Sequence, residues 1–277
     1  VSRARPACAR GDGVSRSRRG STSLALIALA LLLVLAVAAP VIAPFAPDAV
    51  DLASRRAAPS WSHWFGTDAL GRDVFSRALY GARVSLAVGI LSAALAVALG
   101  AAIGALGGFL GRALDQLLMR VTDAMLSVPR LPLLMVLGAV LQPSVIALVL
   151  MVGIVGWMET ARVTRAEVLS LRARAFVEAS RAAGAPVLRQ IARHVLPNAL
   201  PALAVAATLA VGRGILMEST LSFFGVGVQP PAASWGNMLY QAQSTMTSEP
   251  WLAIFPGMLI FATVAAINSL GERLAHG

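Results

Sequence analysis

Four long stretches of this chain carry no charged side chain: residues 20–47, 84–111, 131–158 and 250–271. A fifth, 194–212, is just long enough to count with them. A helix needs about 20 mostly apolar residues to cross a hydrocarbon core about 30 Å thick, so each stretch predicts a spanning helix. The spans are read at 22–44, 84–108, 113–142, 144–161, 199–217 and 251–270. This is the pattern of an all-α polytopic membrane protein with about six transmembrane helices, and an even number puts both termini on one side. The second span repeats Gly100, Gly104 and Gly108 at every fourth position. Small residues at that spacing let helices approach closely in lipid, where packing replaces the hydrophobic effect. The third segment is mixed. Asp115, Arg120, Asp123 and Arg130 lie in its first half, and Pro129 and Pro132 predict a kink.

Polar segments separate these runs. Residues 1–20 are rich in Arg, Ser and Gly and predict a disordered tail. Arg18-Arg19 before an apolar run also fits a signal peptide, and Ala-rich residues near 36–39 resemble a cleavage site. The uncharged run continues to Pro47, longer than a signal core, which favours a retained first span. Within the polar residues 45–82, Thr67 or Asp68 is placed to cap a short helix. Val74, Phe75, Ala78 and Leu79 share one face of it; Arg72, Asp73, Ser76 and Arg77 share another, as in a helix lying at the membrane interface. The chain thus divides into a tail (1–20), a first span with an extracytoplasmic interfacial segment (21–82) and a main membrane domain (83–273).

Composition agrees. Apolar residues make up 57% of the chain and charged residues 13%, against about 25% charged in soluble domains. The net charge of +10 contains no Lys. Its distribution argues for membrane orientation and against nucleic acid: with the N-terminus inside, the tail, the 109–120 turn, the 162–193 loop and Arg273 all face the cytoplasm. Cys8 is the single cysteine, so no intrachain disulfide is possible. His63, His194 and His276 are scattered and form no metal-ligand spacing with Cys8. There is no GxxxxGK[ST] loop to cradle phosphates and no recognisable Ser/His/Asp set. Neither a cofactor, a metal nor a catalytic residue is expected.

The most informative polar segment is the loop 162–198. Arg174, Glu178 and Arg181 form one helical stripe, with Phe176, Ala179 and Ala183 beside it. Gly184 permits a left-handed C-cap, and Pro186 suits the first turn of a second helix. Val187, Leu188, Ile191 and Val195 give that second helix an apolar stripe; Pro197 is expected to stop it, and Asn198 to cap the fifth span. An amphipathic pair resting on headgroups would account for this much. The spacing is more specific. Glu178-Ala179-Ser180, then Gly184, then His194 and Leu196-Pro197 resemble the EAA loop of importer-type ABC transporter permeases. Ser180 replaces the usual second Ala, and His194 stands where many members have an apolar residue.

The resemblance covers residues 22–273. It extends to GTDxxGRDVFSRxxxGxRxSLxVG at 66–89, LDxxxMRxxDxxxxxP at 114–129, ESTLSFFGVGVQPPAASWGNML at 218–239 and PWLAIFPG at 250–257. Together these look like the second (C-type) permease of dipeptide, oligopeptide and nickel importers, although Phe224 and Val226 depart mildly from the usual LSFLGLG. The resemblance implies a type I importer permease fold in a bacterial plasma membrane, both termini cytoplasmic. It also implies a homologous permease partner, two ABC ATPase subunits that hydrolyse the ATP, and an extracytoplasmic substrate-binding protein. Glu178, Ala179, Ser180, Gly184, His194, Leu196 and Pro197 would then meet the ATPase, with Glu178 facing an ATPase Arg. Peptides are the implied cargo, with nickel or another small solute as the alternative.

Ionisable residues in or beside spans are functional candidates by default. Glu218 is a candidate for the translocation path or outer gate. Arg213 is another, although its place in the outer third of its span also fits snorkelling to the interface. Trp235, with Gly236, is read as a candidate contact for the binding protein; for Trp235 and Trp251 plain interfacial anchoring accounts for them equally. A secondary carrier would show inverted repeats and buried coupling acids. No clear repeat is visible, and the acidic residues lie mostly outside mid-span positions.

Overall fold

The computed structural model describes residues 26–141 and 144–276. The tail read at 1–20 and the first residues of the span read from 22 lie outside them. Helix α1 covers Leu26–Val37 and α2 the turn Ala39–Ile42. Then come α3 (Val74–Leu110), α4 (Arg112–Ser127), α5 (Arg130–Val140), α6 (Val145–Leu171), α7 (Ala175–Ala182), α8 (Val187–Gln190), α9 (Leu196–Phe223), α10 (Trp235–Ala242) and α11 (Trp251–His276). Among the described residues, four helices are long and apolar enough to cross a membrane: α3, α6, α11 and the continuous run Val187–Phe223. The bent pair α4–α5 makes a fifth if taken as one span. The protein is an all-α, multi-pass membrane protein.

Helix α3 sets the frame. Its N-cap is Asp73, whose carboxylate accepts from the Ser76 N–H at 2.7 Å; the cap is not Thr67 or Asp68. Nothing breaks the helix between residues 74 and 110, so the short helix and the second span read from the sequence are one rod of 37 residues, about 55 Å long. The polar face expected at an interface is instead packed inward. Ser76 and Arg77 are buried, and Arg77 donates to the Pro47 carbonyl at 3.0 Å. A guanidinium is tolerated there because backbone and side-chain oxygens from several segments receive it.

The glycine ladder works as its spacing predicts. A Cβ on Gly100 would come within 2.7 Å of the Trp157 carbonyl oxygen, one on Gly104 within 2.8 Å of Thr164 Cβ, and one on Gly108 within 3.0 Å of the Arg165 carbonyl oxygen. The ladder of α3 therefore faces a matching four-residue ladder on α6, backbone against backbone. Helix α9 lies beside both and α11 beside α9.

Two helices depart from the simple pattern. The α4–α5 pair bends by 82° at Val128–Pro129. Pro129 caps α5, and Pro132 falls in its first turn, where a missing N–H costs little. The second departure is at Ile191–Val195, a π-helical turn that joins α8 to α9. There the Leu196 N–H reaches back five residues to the Ile191 carbonyl. The widened turn accommodates Pro197, which does not stop the helix. Asn198 caps nothing; its amide donates to the His194 carbonyl at 2.5 Å.

Candidate functional site

The loop after α6 is a helical hairpin pinned to the bundle by its apolar residues. Val177 of α7 and Ile191 and Val195 of the π turn pack with Ala105 and Phe109 of α3, Val168 and Leu171 of α6, and Ala199 and Leu203 of α9. Val177 and Val195 have no exposed surface. Burying each such side chain contributes about 1.5–3 kcal/mol. Arg172 donates to the Gly108 carbonyl at 2.9 Å, tying the end of α6 to that of α3. The hairpin is therefore held at once by three of the long helices.

Gly184 makes the bend, with φ +75° and no other atom within 4 Å of the place a Cβ would take. Its need for glycine is conformational, not steric. The Ala185 N–H returns to the Ser180 carbonyl at 3.1 Å, and the buried Gln190 amide donates to the Ala185 carbonyl at 2.6 Å. Pro186 caps the second helix. The outer side of the hairpin is open: Arg174, Glu178, Ala179, Arg181 and Pro197 are exposed, while Ser180, His194 and Leu196 are half-buried. Sequence reasoning missed Val177 and Gln190. The stripe read on the second helix also splits: Ile191 and Val195 face the bundle, but Val187 and Leu188 face out.

On the opposite end of the bundle, Glu218 and Trp235 sit in one buried network. The Glu218 carboxylate accepts from Ser85 at 2.9 Å and from Ser222 at 2.8 Å. The Trp235 N–H donates to the Ser85 hydroxyl, and its indole N–H donates to the Ala78 carbonyl at 3.0 Å. Gly236 packs against the Ser219 backbone so closely that a Cβ would come within 2.6 Å of it. Glu218 and Trp235 are both fully buried. Trp235 and Gly236 thus present no surface to a partner or to lipid, and in this conformation Glu218 faces no open space. The network binds the 218–242 segment onto α3, because each polar group finds its acceptor inside the protein. Exposed tryptophan surface lies instead on Trp61 and Trp64 of the segment before α3.

The family described as binding-protein-dependent transport system inner membrane component matches residues 96–276. The chain belongs to that family. A protein of Brucella suis biovar 1 (strain 1330) that carries the name of a peptide permease protein is 43% identical over 237 residues, 85% of this chain and 78% of the relative. Another from the same organism, named as a peptide transport system permease protein, is 40% identical over 257 residues, 93% of this chain and 86% of the relative. An Escherichia coli (strain K12) protein named as a D,D-dipeptide transport system permease is 38% identical over 235 residues, 85% and 79% of the two chains.

In this permease the acidic residues of the 114–129 motif have a definite task. Asp115 of α4 receives both forks of Arg165 of α6, the second at 2.6 Å, and Asp123 receives Arg162 at 2.5 Å. Two Arg–Asp pairs thus lay the amphipathic α4 along α6, the first in the bidentate geometry that gives such pairs their direction. Arg213 belongs to a second cluster. Its guanidinium pairs with Glu159 of α6, which also accepts from Arg130 of α5 at 2.9 Å. Sequence reasoning had no means of linking these three, which lie on three different helices.

Proposed function

We propose that this chain is one permease subunit of an ATP-driven importer, forming with a homologous permease the pathway for peptides delivered by an extracytoplasmic binding protein. The observation that carries the coupling part is the braced hairpin: buried Val177, Ile191 and Val195 beneath, exposed Glu178 and Arg181 above. A docking ATPase that moves the exposed face moves α3, α6 and α9 with it, because all three share the core under the hairpin. Closure of two ATPases around ATP then becomes a change in the tilt of the spans. Peptide cargo is supported by the names of the relatives. The arginine bias supports N- and C-termini in the cytoplasm, with the hairpin on that side.

The test is the complete complex in membranes. Glu178→Arg places like charge against an ATPase Arg, and Gly184→Val forces a β-branched residue into φ +75°. Both residues lie outside the long helices, so both variants should insert. Peptide uptake should fall sharply, together with co-purification of the ATPases or their stimulation by loaded binding protein. Wild-type uptake in both variants would sink the coupling assignment. Wild-type uptake of no peptide would sink the cargo assignment.

A further inference from the structure

A charged cluster joins three helices at the ends of the uncharged runs. Arg130 opens α5, Glu159 lies within α6 and Arg213 lies within α9. Glu159 Oε1 accepts from Arg130 at 2.9 Å, and Oε2 pairs with Arg213. Two guanidinium cations and one carboxylate leave the cluster with one net positive charge. Each guanidinium carries five N–H donors, and a carboxylate that offers one oxygen to each cannot satisfy them.

The two arginines, and not Glu159, line a cavity of about 40 Å³, room for a few water-sized groups. Its other walls are mainly small or apolar, among them Ser92, Ala96, Leu134 and Met217. Arg213 is 42% exposed and Arg130 24%. Depth follows from α3. Ser92 and Ala96 lie eight and twelve residues into the uncharged run 84–111, which places the cavity wall about 12–18 Å from the outer end of that run. The run is about 42 Å long, so the cavity wall lies in the outer half of a core about 30 Å thick centred on it.

We infer that Arg130 and Arg213 form a recognition point for a carboxylate of the cargo partway along the translocation path, with Glu159 holding the two guanidinia apart and aimed into the cavity. The inference rests on the permease reading above and adds the chemical group that the path recognises. An excess cation in low dielectric attracts an anion strongly. The partial neutralisation by Glu159 keeps the site weak enough to release its cargo. A peptide offers such a carboxylate at its C-terminus or on an acidic side chain.

The experiment uses the full complex in proteoliposomes and three probes: Ala-Phe, Ala-Phe amide and Ala-Asp amide. Binding of each to the isolated binding protein is measured separately and is unaffected by changes in the permease. Arg213→Gln should lower the uptake ratio of Ala-Phe to Ala-Phe amide by about tenfold or more relative to wild type, the scale of one hydrogen bond to a charged group. Arg130→Gln should act in the same direction, and Arg213→Lys should keep most of the ratio. If the side-chain carboxylate serves as well as the C-terminal one, the ratio of Ala-Asp amide to Ala-Phe amide falls in parallel. An unchanged ratio in both Gln variants, with ATPase subunits still co-purifying, overturns the inference and leaves the permease reading intact. Loss of assembly in both variants marks the cluster as a structural ion pair and also overturns it. No uptake of any probe by wild type refutes the peptide reading, and this inference with it.

Discussion

Replacing Gly104 with alanine should destabilise the bundle although it adds a single methyl group of high helix propensity. The structure gives the reason. The new Cβ would lie 2.8 Å from Thr164 Cβ and 2.9 Å from the Arg165 amide nitrogen, and still closer to the Ala161 carbonyl. Ordinary contacts begin near 3.5 Å, so α3 and α6 must separate by the better part of an ångström. No flexible side-chain tip is available to yield, because most of the opposing atoms are backbone. Overpacking of this kind costs about 1–3 kcal/mol, opposed by the gain of roughly 1 kcal/mol from removing a mid-helix glycine. A net loss of up to about 2 kcal/mol corresponds to a fall in midpoint of up to roughly 8 °C in a chain of this size. The assay is thermal unfolding of the purified complex in detergent, followed by size-exclusion fluorescence. Gly257→Ala is the control: it sits within α11 with no other atom within 4 Å of the new Cβ, so it should leave the midpoint unchanged or raised. Equal midpoints for the two variants would refute the backbone-contact reasoning. Leucine at 104 should act in the same direction and more strongly, and it should also weaken uptake, since α6 carries the hairpin.

Three further outcomes are expected. In a Cys8→Ser background, cysteines placed at exposed Ala58 and Thr247 should react with an impermeant thiol reagent in intact cells, and one at exposed Ala182 should not; the reverse pattern would overturn the orientation. Glu218→Ala strips Ser85 and Ser222 of their acceptor, costing about 1–3 kcal/mol for each buried group left unpaired. Its yield of folded chain should drop well below that of Glu218→Gln, which keeps one oxygen and a hydrogen-bonding amide. Val177→Asp buries a charge beneath the hairpin while leaving the outer face intact, so the ATPases should still co-purify but lose their stimulation by loaded binding protein; preserved stimulation would show that the brace does not transmit the motion.

The sequence alone determined the helical class, the main spans and the bend of the hairpin after α6. Each is a local property. A run of twenty uncharged residues has one favourable place in lipid, and Gly184 is the residue that adopts φ +75° without strain. The glycine ladder was legible for the same reason, since its four-residue period is written into α3 itself. Only the tertiary structure decided which charges meet. Asp115 and Arg165 are 50 residues apart, and Ser85 and Glu218 are 133 apart. Nothing in either partner's neighbourhood along the chain names the other, because pairing depends on which helices lie side by side. The same holds for Trp235, interfacial by residue type yet fully buried with its indole bonded to Ala78, and for Arg213, whose partner Glu159 lies on another helix. In a membrane, residue type sets how deep a segment lies; the close fit of small residues between helices sets its neighbours, and with them the buried polar pairs.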